Sequence, residues 1–260
     1  MKKAILKTCA IACALAAVIS ALSFVCYAET DKCWYIKRNG NLRPTFPKDA
    51  EHLKEYNCYY IDDKYSDSSE QKRIYITFDA GYENGNVEKI LDVLKDKNVP
   101  AAFFLLDNII LKNTDLVLRM ASEGHLVCNH TKNHKNLSSA SREQIAADLC
   151  ALEDIYESKT RLTMSKYFRF PEGRYSEEAV RYVSELGYKT VFWSFAYDDW
   201  DNGRQSSPDK AIQKVISNTH NGAVMLFHPT SSTNAEIFGT LIDKWRDMGY
   251  EFGTLDELTK

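Results

Sequence analysis

Between Ile74 and Met248 the chain alternates short apolar, β-branched runs with stretches of helical period, and each run breaks off into polar residues. The runs at 74–78, 101–105, 126–128, 167–170, 190–195 and 223–227 read as strands. Between them, 86–97, 115–122, 176–186, 208–218 and 234–248 carry apolar residues at helical spacing, and Ser138 or Ser141 caps a further helix running to residue 158. Gly187 stops the helix before it. Repeated strand–helix units require a parallel sheet covered on both faces, so the chain is of the α/β class. A (β/α) barrel is the better expectation than an open sheet, because residues able to do chemistry follow nearly every strand.

Two segments precede this body. Residues 1–28 begin with Lys2, Lys3 and Lys7, continue through the apolar stretch 10–25 and close on Cys26-Tyr27-Ala28, the layout of a secretory signal. The alternative is an uncleaved anchor, since the stretch approaches spanning length. Either puts the body outside the cytoplasm, with a membrane touched only through an uncleaved segment. Residues 29–72 are irregular and aromatic (Trp34, Tyr35, Tyr56, Tyr59, Tyr60) and too short to bury a core of their own. They read as an extension wrapped on the barrel that occupies 73–260.

The chain holds 33 basic and 36 acidic residues, and loss of the three leader lysines takes the formal charge from −3 to −6. That balance argues against nucleic acid or an anionic surface as partner. Cys9, Cys13 and Cys26 fall in the leader, leaving Cys33, Cys58, Cys128 and Cys150. An even number in an exported chain allows disulfides, with Cys33–Cys58 the preferred pair and free thiols the alternative. A monomer is expected.

Four strand ends gather polar groups. Asp79 ends Ile74-Tyr75-Ile76-Thr77-Phe78-Asp79 ahead of a turn carrying Gly81 and Gly85. His130 and His134 stand at i, i+4 and would share a helical face able to hold one metal ion; alone, such a pair is more often surface. Arg169, between two phenylalanines and followed by Pro171, is expected to pair with a carboxylate, either in a site or in a structural ion pair. His228 directly follows an apolar strand and Asp199-Trp200 lies on a neighbouring loop, which favours an oriented acid–base pair over a satisfied core histidine.

Thr77-Phe78-Asp79, Val99-Pro100-Ala101-Ala102-Phe103-Phe104, Gly124-His125-Leu126 with the run Asn129 to His134, Arg169-Phe170-Pro171-Glu172-Gly173, Asp199-Trp200 and Leu226-Phe227-His228 follow one another in the order of the NodB-homology polysaccharide deacetylases, carbohydrate esterase family 4. The chain resembles that family from about residue 73 to 258. Within it, Gly81 to Gly85, Trp34 to Gly40 and Phe192 to Tyr197 are similar to the delta-lactam-biosynthetic de-N-acetylases of spore-forming bacteria.

The resemblance implies a distorted (β/α) barrel and metal-assisted hydrolysis of an N-acetyl group on a glycan. Asp79 would be the general base and Arg169 would fix it. His228, oriented by Asp199, would be the general acid. His130 and His134 would hold a divalent ion, zinc or a similar first-row ion. The backbone N–H of Glu172 would meet the oxyanion. Tyr82, Phe170 and Trp200 would wall a sugar ring, unless they simply pack in the core.

One position departs from the family pattern. Ala80 stands where a second Asp ligates the metal, so the ion would be weakly held. The similar subgroup also lacks that Asp. The implied substrate is the peptidoglycan glycan strand on the cell-wall or spore-cortex side. The reaction would deacetylate muramic acid after stem-peptide removal, leading to muramic δ-lactam during sporulation. The alternatives are a de-N-acetylase of N-acetylglucosamine in peptidoglycan or chitin oligomers, and a wall-binding protein that has lost catalysis.

Overall fold

The computed structural model describes residues 31–260, so the expected signal or anchor at 1–28 lies outside the described residues. Among the described residues no helix is long and apolar enough to cross a membrane.

The strands, in chain order, are β1 Lys32–Cys33, β2 Lys37–Asn39, β3 Leu42–Thr45, β4 Cys58–Tyr59, β5 Lys72–Ala80, β6 Ala102–Leu105, β7 Leu126–Asn129, β8 Ser165–Phe168, β9 Arg174–Tyr175, β10 Lys189–Val191, β11 Ala223–Phe227 and β12 Tyr250–Gly253. The main sheet runs β11-β5-β6-β7-β8-β10-β4, with β12 also on β5. Its pairings are parallel throughout. The long strand β5 pairs with β12 along Lys72–Tyr75 and with β6 along Thr77–Ala80, while β11 covers Ile74–Phe78.

Alternation along each strand sorts the side chains. One set (Ile76, Phe78, Phe103, Leu105, Val127, Met225) packs outward under helices such as Val87–Asp96 and Ser232–Asp247. The other (Tyr75, Ala102, Phe104, Cys128, Tyr167, Val224) fills the interior, with Leu255 and Leu258 of the C-terminal helix packed against it. Thr77 and Asp79 continue the inward set of β5 toward its C-terminal end. Ser141 caps the helix Arg142–Thr160 in a capping box with Gln144, which settles the choice between Ser138 and Ser141.

The barrel is distorted because one seam lacks a regular ladder. The sequence predicts a strand over 190–195, but β10 ends at Val191. The Arg169 guanidinium takes the Val191 carbonyl at 2.8 Å, removing it from any ladder. The chain then crosses to β11, where isolated bridges Phe195↔Met225 and Ile61↔Ala223 stitch the gap. At this seam Gly222 is left-handed, and an added Cβ would meet the Asp62 carbonyl oxygen at 2.3 Å, so only glycine fits.

The irregular reading of residues 29–72 misses that β4 is the end strand of the main sheet, parallel to β10. Two residues are too few to show a period. Trp34 docks the segment by stacking on Phe192 at 4.4 Å and donating its indole N–H to the Trp193 carbonyl. The preferred Cys33–Cys58 disulfide does not form: all four described cysteines are free, Cys33 exposed on β1 and Cys58 buried on β4.

Candidate functional site

Arg169 follows β8, and its guanidinium is 0% exposed. Nη1 donates to Asp79 Oδ1 at 2.8 Å and Nη2 to Thr77 Oγ1 at 2.9 Å, while the face of Phe104 lies 4.1 Å beneath. Burial alone would push the Asp79 carboxyl upward, but the charge of Arg169, aided by His130 and His228, more than offsets it and holds the group below its ordinary value. Asp79 is therefore an ionised, held carboxylate whose Oδ2 faces His130 Nε2 at 3.5 Å.

His130 and His134 come together, but not on a helix. The segment after β7 is a loop in which Thr131 and His134 are left-handed, with φ of 70° and 61°. Asn129 shapes it, accepting from the Thr131 N–H at 3.0 Å and donating to the Leu149 carbonyl at 3.1 Å. The two imidazoles meet edge-on with centroids 5.1 Å apart. His130 Nδ1 lies 2.8 Å from the Arg169 carbonyl, an acceptor only, so it carries the proton and Nε2 keeps its lone pair. Burial pushes His130 down to about 4, keeping it neutral as a metal ligand must be. These donors fit an ion held by two imidazoles. Among the described residues no group of three or more His, Cys, Asp or Glu forms a closed metal set. Ala80 is 1% exposed and offers no ligating atom.

His228 ends β11. Its Nδ1 donates to Asp199 Oδ1 at 2.7 Å and its backbone N–H to Asp199 Oδ2 at 2.8 Å. Burial would lower the imidazole, but the Asp199 charge outweighs it and raises His228 above its ordinary 6.5. Asn234 Nδ2 donates to Asp199 Oδ2 at 2.6 Å and to the His228 carbonyl at 3.1 Å. Tyr197 donates its hydroxyl to Asn234 Oδ1, extending the support. The sequence does not mark Asn234, which lies in an ordinary helix pattern, and Thr77 falls within a motif but carries no expected role of its own.

Asp79, His134 and His228 open on one cavity of about 660 Å³. Trp200 (59% exposed), Trp193, Glu172 and, from the N-terminal extension, Ile36 and Arg38 line it too. Glu172 is left-handed at φ 57°, and the following Gly173 sits where an added Cβ would meet Trp193 at 2.8 Å. Tyr82 is 44% exposed and stands outside the cavity lining, its hydroxyl accepting from Asn202 Nδ2 at 2.6 Å. Phe170 is a correction. At 0% exposure it packs edge-on to Phe168 and stacked with Phe192, and cannot wall a sugar.

Residues 66–191 match the polysaccharide deacetylase family. The Bacillus subtilis peptidoglycan-N-acetylmuramic acid deacetylase PdaA is 34% identical over 86% of this chain and 84% of its own length. Its solved structure, described as a family 4 carbohydrate esterase, superposes with a TM-score of 0.82, covering 88% of this chain and 97% of that one, at 33% identity. A family 4 carbohydrate esterase from Bacillus anthracis gives a TM-score of 0.73 at 34% identity, covering 90% of this chain and 98% of that chain. The peptidoglycan-N-acetylglucosamine deacetylase PgdA of Listeria monocytogenes is 31% identical over 72% of this chain and 39% of its own.

Proposed function

The chain belongs to the polysaccharide deacetylase family, the family 4 carbohydrate esterases, and from that premise we infer that it is an enzyme that removes N-acetyl groups from peptidoglycan. We propose further that its substrate is muramic acid freed of its stem peptide and that its product leads to muramic δ-lactam. The likeness to PdaA over most of both chains supports muramic acid over N-acetylglucosamine. The observation that carries the chemistry is the convergence of Asp79 and His228 on one cavity, each held by an opposite charge.

In this reading Asp79 takes a proton from the attacking water, its carboxylate kept ionised by Arg169. A divalent ion on His130 and His134, zinc or a similar first-row ion, would supply Lewis-acid polarisation of the acetyl carbonyl. The Glu172 N–H, in its left-handed turn, is the proposed protein donor to the oxyanion. As the carbon–nitrogen bond breaks, His228 gives its proton to the departing amine, and Asp199 stabilises the imidazolium that does so. Trp200 offers an exposed apolar face to the sugar.

The direct test is mass spectrometry of glycan strands stripped of muramic stem peptides, incubated with the protein with and without divalent ion. Loss of acetyl followed by loss of water is expected. Turnover of N-acetylglucosamine oligomers alone would sink the muramic assignment, and silence on both would favour a wall-binding protein.

Ala80→Asp is expected to tighten metal binding in a calorimetric titration, while destabilising the metal-free protein by burying a carboxylate. Unchanged affinity would count against the two-imidazole site. Asp199→Asn keeps a hydrogen-bond acceptor but removes the charge that raises His228. The protonated His228 is the working form, so activity is lost as pH rises through its pKa. The alkaline limb of kcat/KM should therefore move to lower pH in Asp199→Asn, and a limb that stays put would remove His228 from the acid role.

A further inference from the structure

Three carboxylates line the cavity: Asp79, Glu172 and Asp198. Against them stands one permanently charged cation of the lining, Arg38, delivered by β2 of the N-terminal extension. Two of the three carboxylates have partners of their own, Asp79 with Arg169 and Glu172 near Arg174 at 3.9 Å. Arg38 forms no ion pair among the described residues. Its Nη2 donates to the Ala196 carbonyl, and its guanidinium lies 5.8 Å from the Phe195 ring centroid. Both contacts come from the segment that runs on into Asp199, so the same piece of chain orients Arg38 and the partner of His228. Most of a five-donor fork is left for a ligand.

The chemistry of the substrate proposed above says what that fork would meet. Muramic acid differs from glucosamine by a lactyl ether on C3, next to the C2 acetamido group. Once the stem peptide is gone, this ether ends in a free carboxylate. An acetamide placed beside Asp79 therefore brings a negative charge into the same cavity. A lining with three carboxylates would repel that charge unless a cation meets it. A neutral N-acetylglucosamine unit makes no such demand.

We propose that Arg38 is a specificity-determining residue that binds the lactyl carboxylate of stem-free muramic acid and so selects it over neutral N-acetyl sugars. The proposal rests on the muramic reading and assigns the N-terminal extension a part in substrate choice. Arginine suits the task because its planar fork matches a carboxylate with two parallel hydrogen bonds.

The test compares kcat/KM on two muramic-containing oligomers, one with the free lactyl acid and one with that acid converted to its primary amide, which keeps the shape and removes the charge. Wild-type protein should prefer the free acid. Arg38→Gln should lower kcat/KM on the acid by ~10- to 100-fold, the range for losing a charged hydrogen bond, mainly through KM. The acid-over-amide preference should collapse in Arg38→Gln, reverse in Arg38→Glu and survive in part in Arg38→Lys. A general loss of folding would lower both substrates together and leave the preference in place, so the ratio reads recognition rather than stability. An acid-over-amide ratio equal in wild type and Arg38→Gln overturns the role of Arg38 while leaving muramic deacetylation standing. Wild-type protein inert on both muramic oligomers but active on chitin oligomers overturns the muramic reading and this inference with it.

Discussion

Asp79→Asn is expected to lower kcat by about 10²- to 10⁴-fold, the usual worth of a positioned general base, with KM changed far less. The amide oxygen can still accept from Arg169 Nη1, now 2.8 Å from Asp79 Oδ1, so the side chain should stay in place while losing its basicity. The substitution removes no sugar wall and no imidazole, which is why the loss belongs in kcat. Steady-state kinetics on a glycan oligomer, with circular dichroism to show that the variant is folded, checks it. Turnover within tenfold of the native protein would remove Asp79 from the base role. Asp79 must be ionised to act and stays so to a pH below the ordinary carboxylate value of 3.8, so the acid limb of the native pH profile should follow His130, which takes up its proton at about 4, rather than Asp79.

How much of this site could be read from the chain depends on how each residue is brought to it. Asp79, Arg169 and His228 each follow an apolar run, and a charge at such a run's end stands out in one dimension. His130 and His134 were legible as a pair, but their geometry was not. An i, i+4 spacing suggests a helix, whereas the left-handed Thr131 and His134 fold a loop whose shape depends on Asn129 reaching Leu149 on a distant helix. Phe170 misleads for a related reason. It adjoins Arg169, and where a strand runs out into a turn only the tertiary structure says which neighbour faces the cavity and which the core. Arg38 and Asn234 lie far in sequence from Ala196 and Asp199, which they contact, and their elements carry no local sign of that contact. The barrel's distortion was equally hidden, because Arg169 ends β10 by capturing the Val191 carbonyl from another strand. The same blindness covers β4, whose two residues are too few for alternation to mark.

Arg169→Met is expected to destabilise the fold by about 3–5 kcal/mol, the usual effect of removing one partner from a buried ion pair. The guanidinium is fully buried and holds the Val191 carbonyl, Thr77 Oγ1 and Asp79 at once. Truncation leaves these acceptors unserved and Asp79 charged in a place that disfavours charge. With Arg169 gone, burial would dominate at Asp79 and raise its pKa, so the acid limb of activity should move to higher pH as the base takes up its proton. Urea unfolding measures the stability loss, and a pH profile of whatever activity survives measures the shift. Arg169→Lys should fall short of rescue, because one ammonium cannot span acceptors set around a planar fork. The double variant Asp79→Asn with Arg169→Met separates pair from packing. If the ion pair dominates, the double variant loses clearly less than the two single losses added together, since neither charge is then left buried alone. Strict additivity would mean that Arg169 acts here as a strut between strands, and that Asp79 keeps its ionised state by some other means.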